Sequence, residues 1–498
     1  MPTELDSVAI SPDERRLRRD RLGWIGIAAI GSVVAVSWLR FLNAPFGDNS
    51  FGRVGGRYAL HVRNLYEDGL FGSSWSANWK PYYQTPYAHH PPLLNVLDAV
   101  IGVLPGEAPY QVMLAPHLLA LIAIPAAAAL LRGLGIGWLP ALLSVGAMTA
   151  TGYYLVHSPI MFDIGPILLS AAVVVRLRSA PAPSPRLLAL GCTAAVVVTL
   201  GSWPGIVVGA LLATWLYVSR HGDRTAVAVA IATAAGMAGS LLFMFGVHGW
   251  DALADQLETR TGDVEFGLGE FLGRQWDYVD DLLPVWYLPI FPAALIAGVV
   301  DRRTRLLTSV SAVLAAGWVG VLRNGSFIHD YWAYLVLIPG LIGMAALGDR
   351  VAGLLRKHQA QAGPALAVVA AMFIALSLFT KAFGAFARDQ RDRPADAGRL
   401  ASAYHPPDGQ RFAWQLGVDG ARWLAYYWDR PIPPLEGAAL TSTAEPGELV
   451  FVDLDNRPAW LPYEAVARAV AVRGLYAIFD VATLREVASG EVATTTTG

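Results

Sequence analysis

The chain alternates between long apolar runs and shorter polar segments, a pattern that predicts a membrane protein built of many helices. Apolar runs of roughly 18 residues or more recur with almost no charge, and about 20 apolar residues in a helix span a bilayer. The pattern predicts about eleven spans. Their expected positions are 23–43, 109–131, 137–155, 160–177, 186–202, 203–219, 225–246, 284–300, 306–322, 331–348 and 364–384.

A polar, aromatic stretch, 44–90, separates the first span from a short apolar piece, 91–104. That piece begins at two prolines and ends before Pro105. It is too short to cross a bilayer, so it predicts a helix in the membrane interface. We therefore expect 44–108 to form an outer loop that carries juxtamembrane helices.

A helix is expected within this loop, over 56–69. Arg57, His61, Asn64 and Asp68 are spaced so that all four lie on one helical face, because residues three or four apart are neighbours on a helix. We predict an amphipathic helix on the membrane surface, whose polar face is also a candidate for ligand contact.

The last part of the chain has a different pattern. Residues 387–408 resemble a linker, 410–428 has helical periodicity, and short runs at 449–453 and 476–480 predict strands, with a helix at 463–472 between them. We expect a small α/β domain. The predicted organisation is a tail at 1–22, an all-α transmembrane domain at 23–385, and a linker with the α/β domain at 386–498.

Composition agrees with a membrane location and indicates an orientation. The chain is 54% hydrophobic and 15% charged, with a mean hydropathy of +0.43, whereas soluble domains average about 25% charged residues. The basic residues of the N-terminus and of the loops near 132, 176–186, 220–224, 302–305 and 350–357 fall on one side, which the positive-inside rule makes cytoplasmic. We expect a multi-pass protein of a bacterial plasma membrane, with its N-terminus inside and its C-terminal domain outside.

Other features exclude several classes of site. Cys192 is the single cysteine, so neither an intramolecular disulfide nor a cysteine-based metal site can form. The basic N-terminal stretch precedes a run of spanning length without a small-residue cleavage site, and we expect a retained first span. No feature indicates a nucleic-acid partner.

Two histidine-bearing segments carry the candidate chemistry, and both are expected on the outer side. The first contains His89 and His90, and the second contains His329 and Asp330. Each also has a structural interpretation. Adjacent histidines at the start of an interfacial helix can simply be solvated, and a histidine can pair with an acid for structural reasons.

These segments, taken in order, resemble the GT-C superfamily of membrane glycosyltransferases. That family has an acid after the first span, an Ala-Arg-Asn-Leu-like helix, a His-Pro-Pro-Leu segment, a second outer acid and a late His-Asp-Tyr-Tyr/Trp string. The matching positions are Asp48, Val62–Leu65, His90–Leu94, Asp163 and His329–Trp332. The similarity covers about residues 23–385 and is to a bacterial branch resembling the dolichyl-phosphate-mannose protein mannosyltransferases and the lipid A aminoarabinose transferase.

The resemblance implies an inverting glycosyltransferase that moves a hexose or pentose from a polyprenyl-phosphate donor to an acceptor on the outer face. The acceptor is a cell-wall glycan, a lipid or a protein. In this hypothesis Asp48 is the catalytic base, and Asp163 orients the acceptor or shares that role. Candidates for binding the donor phosphate and substrate are Arg57, Lys80, His89, His90, Arg323, His329, Asp330 and Tyr331.

The chain departs from the family pattern in two places. Asn49 follows Asp48 where many relatives have Glu, and His89-His90 stands where many have Glu-Lys. In some relatives that glutamate contributes to a metal site. Two cofactor interpretations therefore stay open: none, or a divalent metal ion with His90 as its candidate ligand.

Two other functions fit the pattern less well. A lipid-linked glycan flippase or transporter needs ionisable residues or broken helices near the bilayer midplane, and the predicted spans hold almost no charge. A scaffold without catalytic activity would not need polar motifs in several separated outer loops.

Overall fold

The protein is mostly helical, with a small sheet near the C-terminus. A computed structural model describes residues 12–39, 42, 44–74, 91, 93–103, 108–160, 162–262, 265–358, 362–377, 384, 393–410, 413–418, 422–435 and 439–490. Three predicted site residues, Lys80, His89 and His90, lie outside the described residues.

Each predicted span contains a helix, although the bounds differ. In chain order, the helices before the C-terminal part are α1 (Pro12–Leu39), α2 (Ser50–Gly72), α3 (Leu93–Gly102), α4 (Ala108–Gly133), α5 (Trp138–Thr149), α6 (Gly152–Leu155), α7 (Ile164–Ser179), α8 (Pro185–Gly201), α9 (Trp203–Ser219), α10 (Arg224–Thr261), α11 (Leu268–Leu282), α12 (Tyr287–Val300), α13 (Arg305–Val321), α14 (Arg323–Ile328), α15 (Leu337–His358) and α16 (Ala362–Ser377). A 3-10 segment, Asp330–Val336, leads into α15.

The number of membrane crossings stays a prediction. By length and composition, four helices in the described part of the chain can cross a membrane. They are Asp13–Leu39, Pro109–Gly133, Arg224–Val247 and Asp330–Leu355. A fifth arises if α11 and α12, which meet at 101°, form one broken span. Shorter apolar helices, such as α8 and α9, complete the bundle.

Small residues and caps fix how the bundle helices meet near the functional region. A Cβ atom at Gly165 would lie 1.9 Å from the Leu119 carbonyl oxygen, so α7 and α4 pack backbone to backbone. Ser202, in an extended conformation, ends α8 and caps α9 by accepting a hydrogen bond from Gly205 N. Gly249, at φ 74°, breaks α10 and separates its apolar part from the segment that ends at Thr261.

Among its described residues, the C-terminal part contains four strands and four helices. The sheet order is β1-β2-β4-β3, with β1 parallel to β2 and the other pairs antiparallel. Its elements are α17 (Arg393–Ala403), β1 (Ala413–Leu416), α18 (Arg422–Trp428), α19 (Ala439–Ser442), β2 (Leu449–Asp453), a 3-10 segment (Tyr463–Arg468), β3 (Ala471–Arg473), β4 (Tyr476–Asp480) and α20 (Val481–Ala488).

The two strands predicted at 449–453 and 476–480 are confirmed, but two neighbouring predictions were wrong. The segment expected to be a linker contains α17, and the segment expected to be one helix begins with β1. In β1, Ala413 pairs with Leu449 and Leu416 pairs with Val452 of β2. Sheet pairing with a distant strand therefore overrides the local helical periodicity.

One face of the C-terminal sheet shares a hydrophobic core with the outer loop. Phe451 and Ile478 of the sheet, and Trp423 of α18, pack in one cluster with Phe46 and Tyr58 of the loop and α2. Alternate strand residues face a second core that the C-terminal part builds alone, as the two-residue period of a strand requires. The sheet therefore supports α2 directly.

Candidate functional site

Asp48 lies where the outer loop turns into α2. Asn49 caps the helix by accepting a hydrogen bond from Gly52 N, so Asp48 is held just before the first turn. Its side chain is 7% exposed. The Nε and Nη2 atoms of Arg53 donate to Asp48 Oδ1 at 3.2 and 3.0 Å. This ion pair fixes the carboxylate beside the first cation of α2.

Three of the four residues of the predicted polar face of α2 are buried, and only Asp68 is exposed. Arg57, His61 and Asn64 are 8%, 0% and 1% exposed. Helix α18 covers this part of α2, and a Cβ atom at Gly56 would lie 2.7 Å from Trp423 Cα. The helix prediction itself is confirmed, but Arg57, His61 and Asn64 face the protein interior, whereas a solvated polar face was expected.

His329 lies among aromatic rings and a cation. Its ring stacks on Tyr331 and Trp332, with centroids 5.0 and 6.1 Å apart. Arg260, in the last turn of α10, places its guanidinium carbon 5.2 Å from the Trp332 ring centroid, a cation–π contact. The end of α10 is thereby joined to the 3-10 segment.

Positive charge surrounds His329. Burial first, and then the positive charges of Arg260, Arg57 and Arg422, lower the pKa of its ring to about 4, against the opposing charge of Asp330. At neutral pH a ring with this pKa is uncharged and can either donate or accept a hydrogen bond. The three arginines lie on α10, α2 and α18, so distant parts of the chain form one cationic cluster.

Asp330 pairs with a buried histidine of another segment. His157 Nε2 lies 3.4 Å from Asp330 Oδ2, and the His157 ring centroid lies 5.7 Å from that of Tyr331. His157 is 2% exposed. The turn after α6 and the start of the 3-10 segment are therefore held together at a polar contact.

Asp163 is enclosed by hydroxyl groups. Ser202 Oγ donates to its Oδ2 at 2.6 Å, and the Tyr334 hydroxyl lies 2.9 and 2.7 Å from Oδ1 and Oδ2. The side chain is 2% exposed. Asp163 therefore joins the starts of α7 and α9 to the 3-10 segment that begins at Asp330.

Arg323 has a different setting, since it is exposed at the start of α14. As to metals, the described residues contain no group of three or more His, Cys, Asp or Glu side chains that could hold an ion. His90 is outside the described residues, so they provide no ligand set with which a metal can be placed.

Sequence reasoning missed Arg260, Arg422 and Tyr334. One sequence feature could have identified Arg260: it is a basic residue in a loop predicted to face outward, against the charge bias of the chain. No sequence feature indicates Arg422 or Tyr334. Their roles come from contacts with residues far away in the sequence.

Comparison with known proteins identifies the fold. No protein-family profile matches the sequence, and no curated protein sequence matches it. The structure matches ArnT from Cupriavidus metallidurans in the apo state with a TM-score of 0.56 at 16% identity, covering 93% of this chain and 98% of that one. ArnT bound to undecaprenyl phosphate gives a TM-score of 0.55 at 17% identity, covering 92% and 98%.

An oligosaccharyltransferase from Archaeoglobus fulgidus matches with a TM-score of 0.48 at 13% identity, covering 86% of this chain and 68% of that one. The match to ArnT over nearly the whole of both chains shows that this protein has an ArnT-like fold.

Proposed function

We propose that this protein is an inverting glycosyltransferase that takes a hexose or pentose from a polyprenyl-phosphate donor. It transfers the sugar to a glycan, lipid or protein acceptor on the extracytoplasmic side of a bacterial plasma membrane. The match to ArnT over nearly the full length of both chains supports this proposal, and ArnT has been observed with undecaprenyl phosphate. The positive-inside bias supports the orientation.

The arginine cluster around His329 is the observation that carries the proposal. When the bond between the sugar and the phosphate breaks, negative charge develops on the phosphate oxygens and needs positive partners. Arginine suits this task because its planar fork can bind two oxygens at once. One half-buried position, that of His329, feels the positive charges of Arg57, Arg260 and Arg422. A phosphate bound there would be shielded from bulk water.

In this mechanism Asp48 accepts the proton of the acceptor hydroxyl. The hydroxyl oxygen forms a bond to the anomeric carbon while the bond from that carbon to the phosphate oxygen breaks. The electron pair leaves with the polyprenyl phosphate. A single displacement inverts the configuration at the anomeric carbon. Arg53 holds the Asp48 carboxylate in place through its two hydrogen bonds.

We assign Asp163 a positioning role. Both of its carboxylate oxygens accept hydrogen bonds within the protein, so it orders the segment that carries Asp330 and Tyr331. His329 and Tyr331 offer stacked rings and polar atoms near the cluster. These side chains are suited to contacts with the sugar or the phosphate.

The proposal is tested with the purified full-length protein in liposomes and a panel of synthetic polyprenyl-phosphate hexoses and pentoses. Release of polyprenyl phosphate measures turnover. Asp48→Asn should lower the rate of an accepted donor by about 100-fold or more, in keeping with the loss of a general base. Asp68→Asn, an exposed acid on the same helix, is the matched control and should keep the rate of the unmodified protein.

Undiminished turnover in a folded Asp48→Asn protein would remove Asp48 as the base. If the intact lipid-linked sugar crossed the bilayer and no donor released polyprenyl phosphate, the transferase proposal would be wrong and a flippase would be the better account.

A further inference from the structure

Helix α18 of the C-terminal part runs alongside α2 in a fixed register. At one end, Trp423 packs on Gly56 with no space for a side chain between them. At the other end, Arg63 donates to the Tyr426 carbonyl oxygen at 2.7 Å and to Asp429 Oδ1 at 2.8 Å. Both helices therefore advance in the same direction.

This register sets the position of Arg422. Arg422 precedes Trp423, and Arg57 follows Gly56, so the contact between Trp423 and Gly56 places the two arginines in the same part of the helix pair, next to the two residues in contact. Arg422 is half-buried and its charge reaches His329, as do those of Arg57 and Arg260. The α18 helix is too well anchored by Arg63 to slide by one residue without losing these contacts.

We infer that Arg422 binds the phosphate group of a lipid-linked ligand together with Arg57 and Arg260, so that the C-terminal part of the chain completes the anion site. This inference rests on the proposed function, because it takes the same cluster as the donor site. It adds a binding residue from a segment beyond the GT-C-like helices.

The alternative is a structural role in which Arg422 only secures α18 on α2. Two observations favour ligand binding. The docking of α18 is already provided by Trp423, by Arg63 and by Tyr427, whose hydroxyl accepts a hydrogen bond from Phe46 N at 2.9 Å. In addition, Arg422 lies at the cationic end of the helix pair, away from the Arg63–Asp429 ion pair.

The test compares Arg422→Gln, Arg422→Lys and Arg260→Gln with Arg468→Gln in the full-length protein in detergent. Arg468 is a partly exposed arginine of the same C-terminal part, paired with Glu486, and is the matched control. The probes are a polyprenyl phosphate, the uncharged polyprenol of the same length, and inorganic phosphate. Binding is measured by ligand-induced change in melting temperature and by titration.

We expect Arg422→Gln to raise the Kd for the polyprenyl phosphate about tenfold, as loss of a charge-assisted contact does. Its affinity for polyprenol and its ligand-free melting temperature should stay unchanged. Arg422→Lys should recover part of the affinity, and Arg468→Gln should bind like the unmodified protein.

Three results would overturn the inference, and they separate it from the proposed function. If Arg260→Gln bound the polyprenyl phosphate more weakly and Arg422→Gln bound it normally, the donor site would stand but Arg422 would not belong to it. Equal weakening for phosphate and polyprenol, with a lower melting temperature, would make Arg422 structural. If the unmodified protein bound polyprenol or inorganic phosphate as tightly as the lipid phosphate, the lipid-phosphate site of the proposed function would fall as well.

Discussion

The Tyr334 hydroxyl lies 2.7 and 2.9 Å from the two carboxylate oxygens of Asp163, and this contact ties the segment bearing His329–Tyr331 to the helix bundle. Tyr334→Phe should lower the free energy of unfolding by about 1–3 kcal/mol, because a buried acid loses a hydrogen-bond donor without gaining access to water. Thermal unfolding in detergent measures the effect.

Tyr154→Phe is the control for that change. Its buried hydroxyl donates to the uncharged Ala120 carbonyl oxygen at 2.8 Å, so its loss should be smaller, about 0.5–1.5 kcal/mol. Equal losses of unfolding free energy in the two variants would show that the hydrogen bond from Tyr334 to Asp163 stabilises the protein no more than one to an uncharged carbonyl group.

Stability below neutral pH should depend on His329. Its pKa is lowered to about 4, by burial first and by Arg260 next, whereas an unfolded histidine titrates near pH 6.5. The unfolded state therefore binds the proton first. Stability is unaffected by this group above about pH 6.5 and falls toward pH 4, by at most about 3 kcal/mol.

His329→Gln should flatten this part of the pH profile of the melting temperature. The exposed His405 provides the comparison, since His405→Gln should leave the profile of the unmodified protein in place. An unchanged slope in His329→Gln would contradict the buried, uncharged state of the ring.

The opposite end of the bundle has its own ion-pair network around Arg303. Its Nη2 atom lies 2.7 Å from Asp301 Oδ2 and 2.8 Å from Asp349 Oδ2, and its Nη1 donates to the Gly135 carbonyl oxygen at 3.0 Å. The side chain is 41% exposed, so solvent screens these pairs. Arg303→Gln should destabilise the protein by about 0.5–1 kcal/mol at low salt.

High salt should shrink that difference, because exposed ion pairs are screened. Arg303 also holds the pKa of the Asp301 carboxyl below its usual range, so this stabilisation persists at neutral pH and is lost as the pH falls through that lowered pKa. Arg305→Gln, which breaks hydrogen bonds to the Val299 and Val300 carbonyl oxygens, should show little dependence on salt. Equal salt dependence in both variants would argue against the network.

The approach of α18 to α2 makes Gly56 intolerant of any side chain. In Gly56→Ala the new Cβ atom would meet Trp423 backbone atoms at 2.7–2.8 Å, so the helices must separate. We expect a lower melting temperature and weaker binding of a polyprenyl phosphate. Gly320→Ala on α13, where nothing lies within 4 Å, should be neutral or stabilising by up to about 1 kcal/mol. Tolerance of Gly56→Ala would contradict the docking of α18.

The sequence predicts where helices and strands lie along the chain better than it predicts which of them pack against one another. Helix α2 follows from the spacing of Arg57, His61 and Asn64, but the burial of that face depends on α18, and periodicity carries no information on such a distant partner. For the same reason β1 was mistaken for helix, since its conformation depends on pairing with β2.

The residues of the candidate site also fall into those that the sequence predicts and those that only the structure reveals. Motifs led to Asp48, Asp163 and His329, each of which stands in or beside a recognisable local string. Arg260 and Arg422 have no such string. They become members of the site only when three separate helices meet.

The contact between Arg63 and Asp429 joins residues 366 positions apart in the chain. A ribosome therefore releases α2 long before its covering helix exists, and loop closure over such a distance is a slow step in folding. Under the proposed function, a nascent or truncated chain could enter the membrane without α18, but it would lack Arg422 and would bind the lipid carrier more weakly. Helix α18 is made late in synthesis, so full binding of the donor would begin only when the chain is nearly complete.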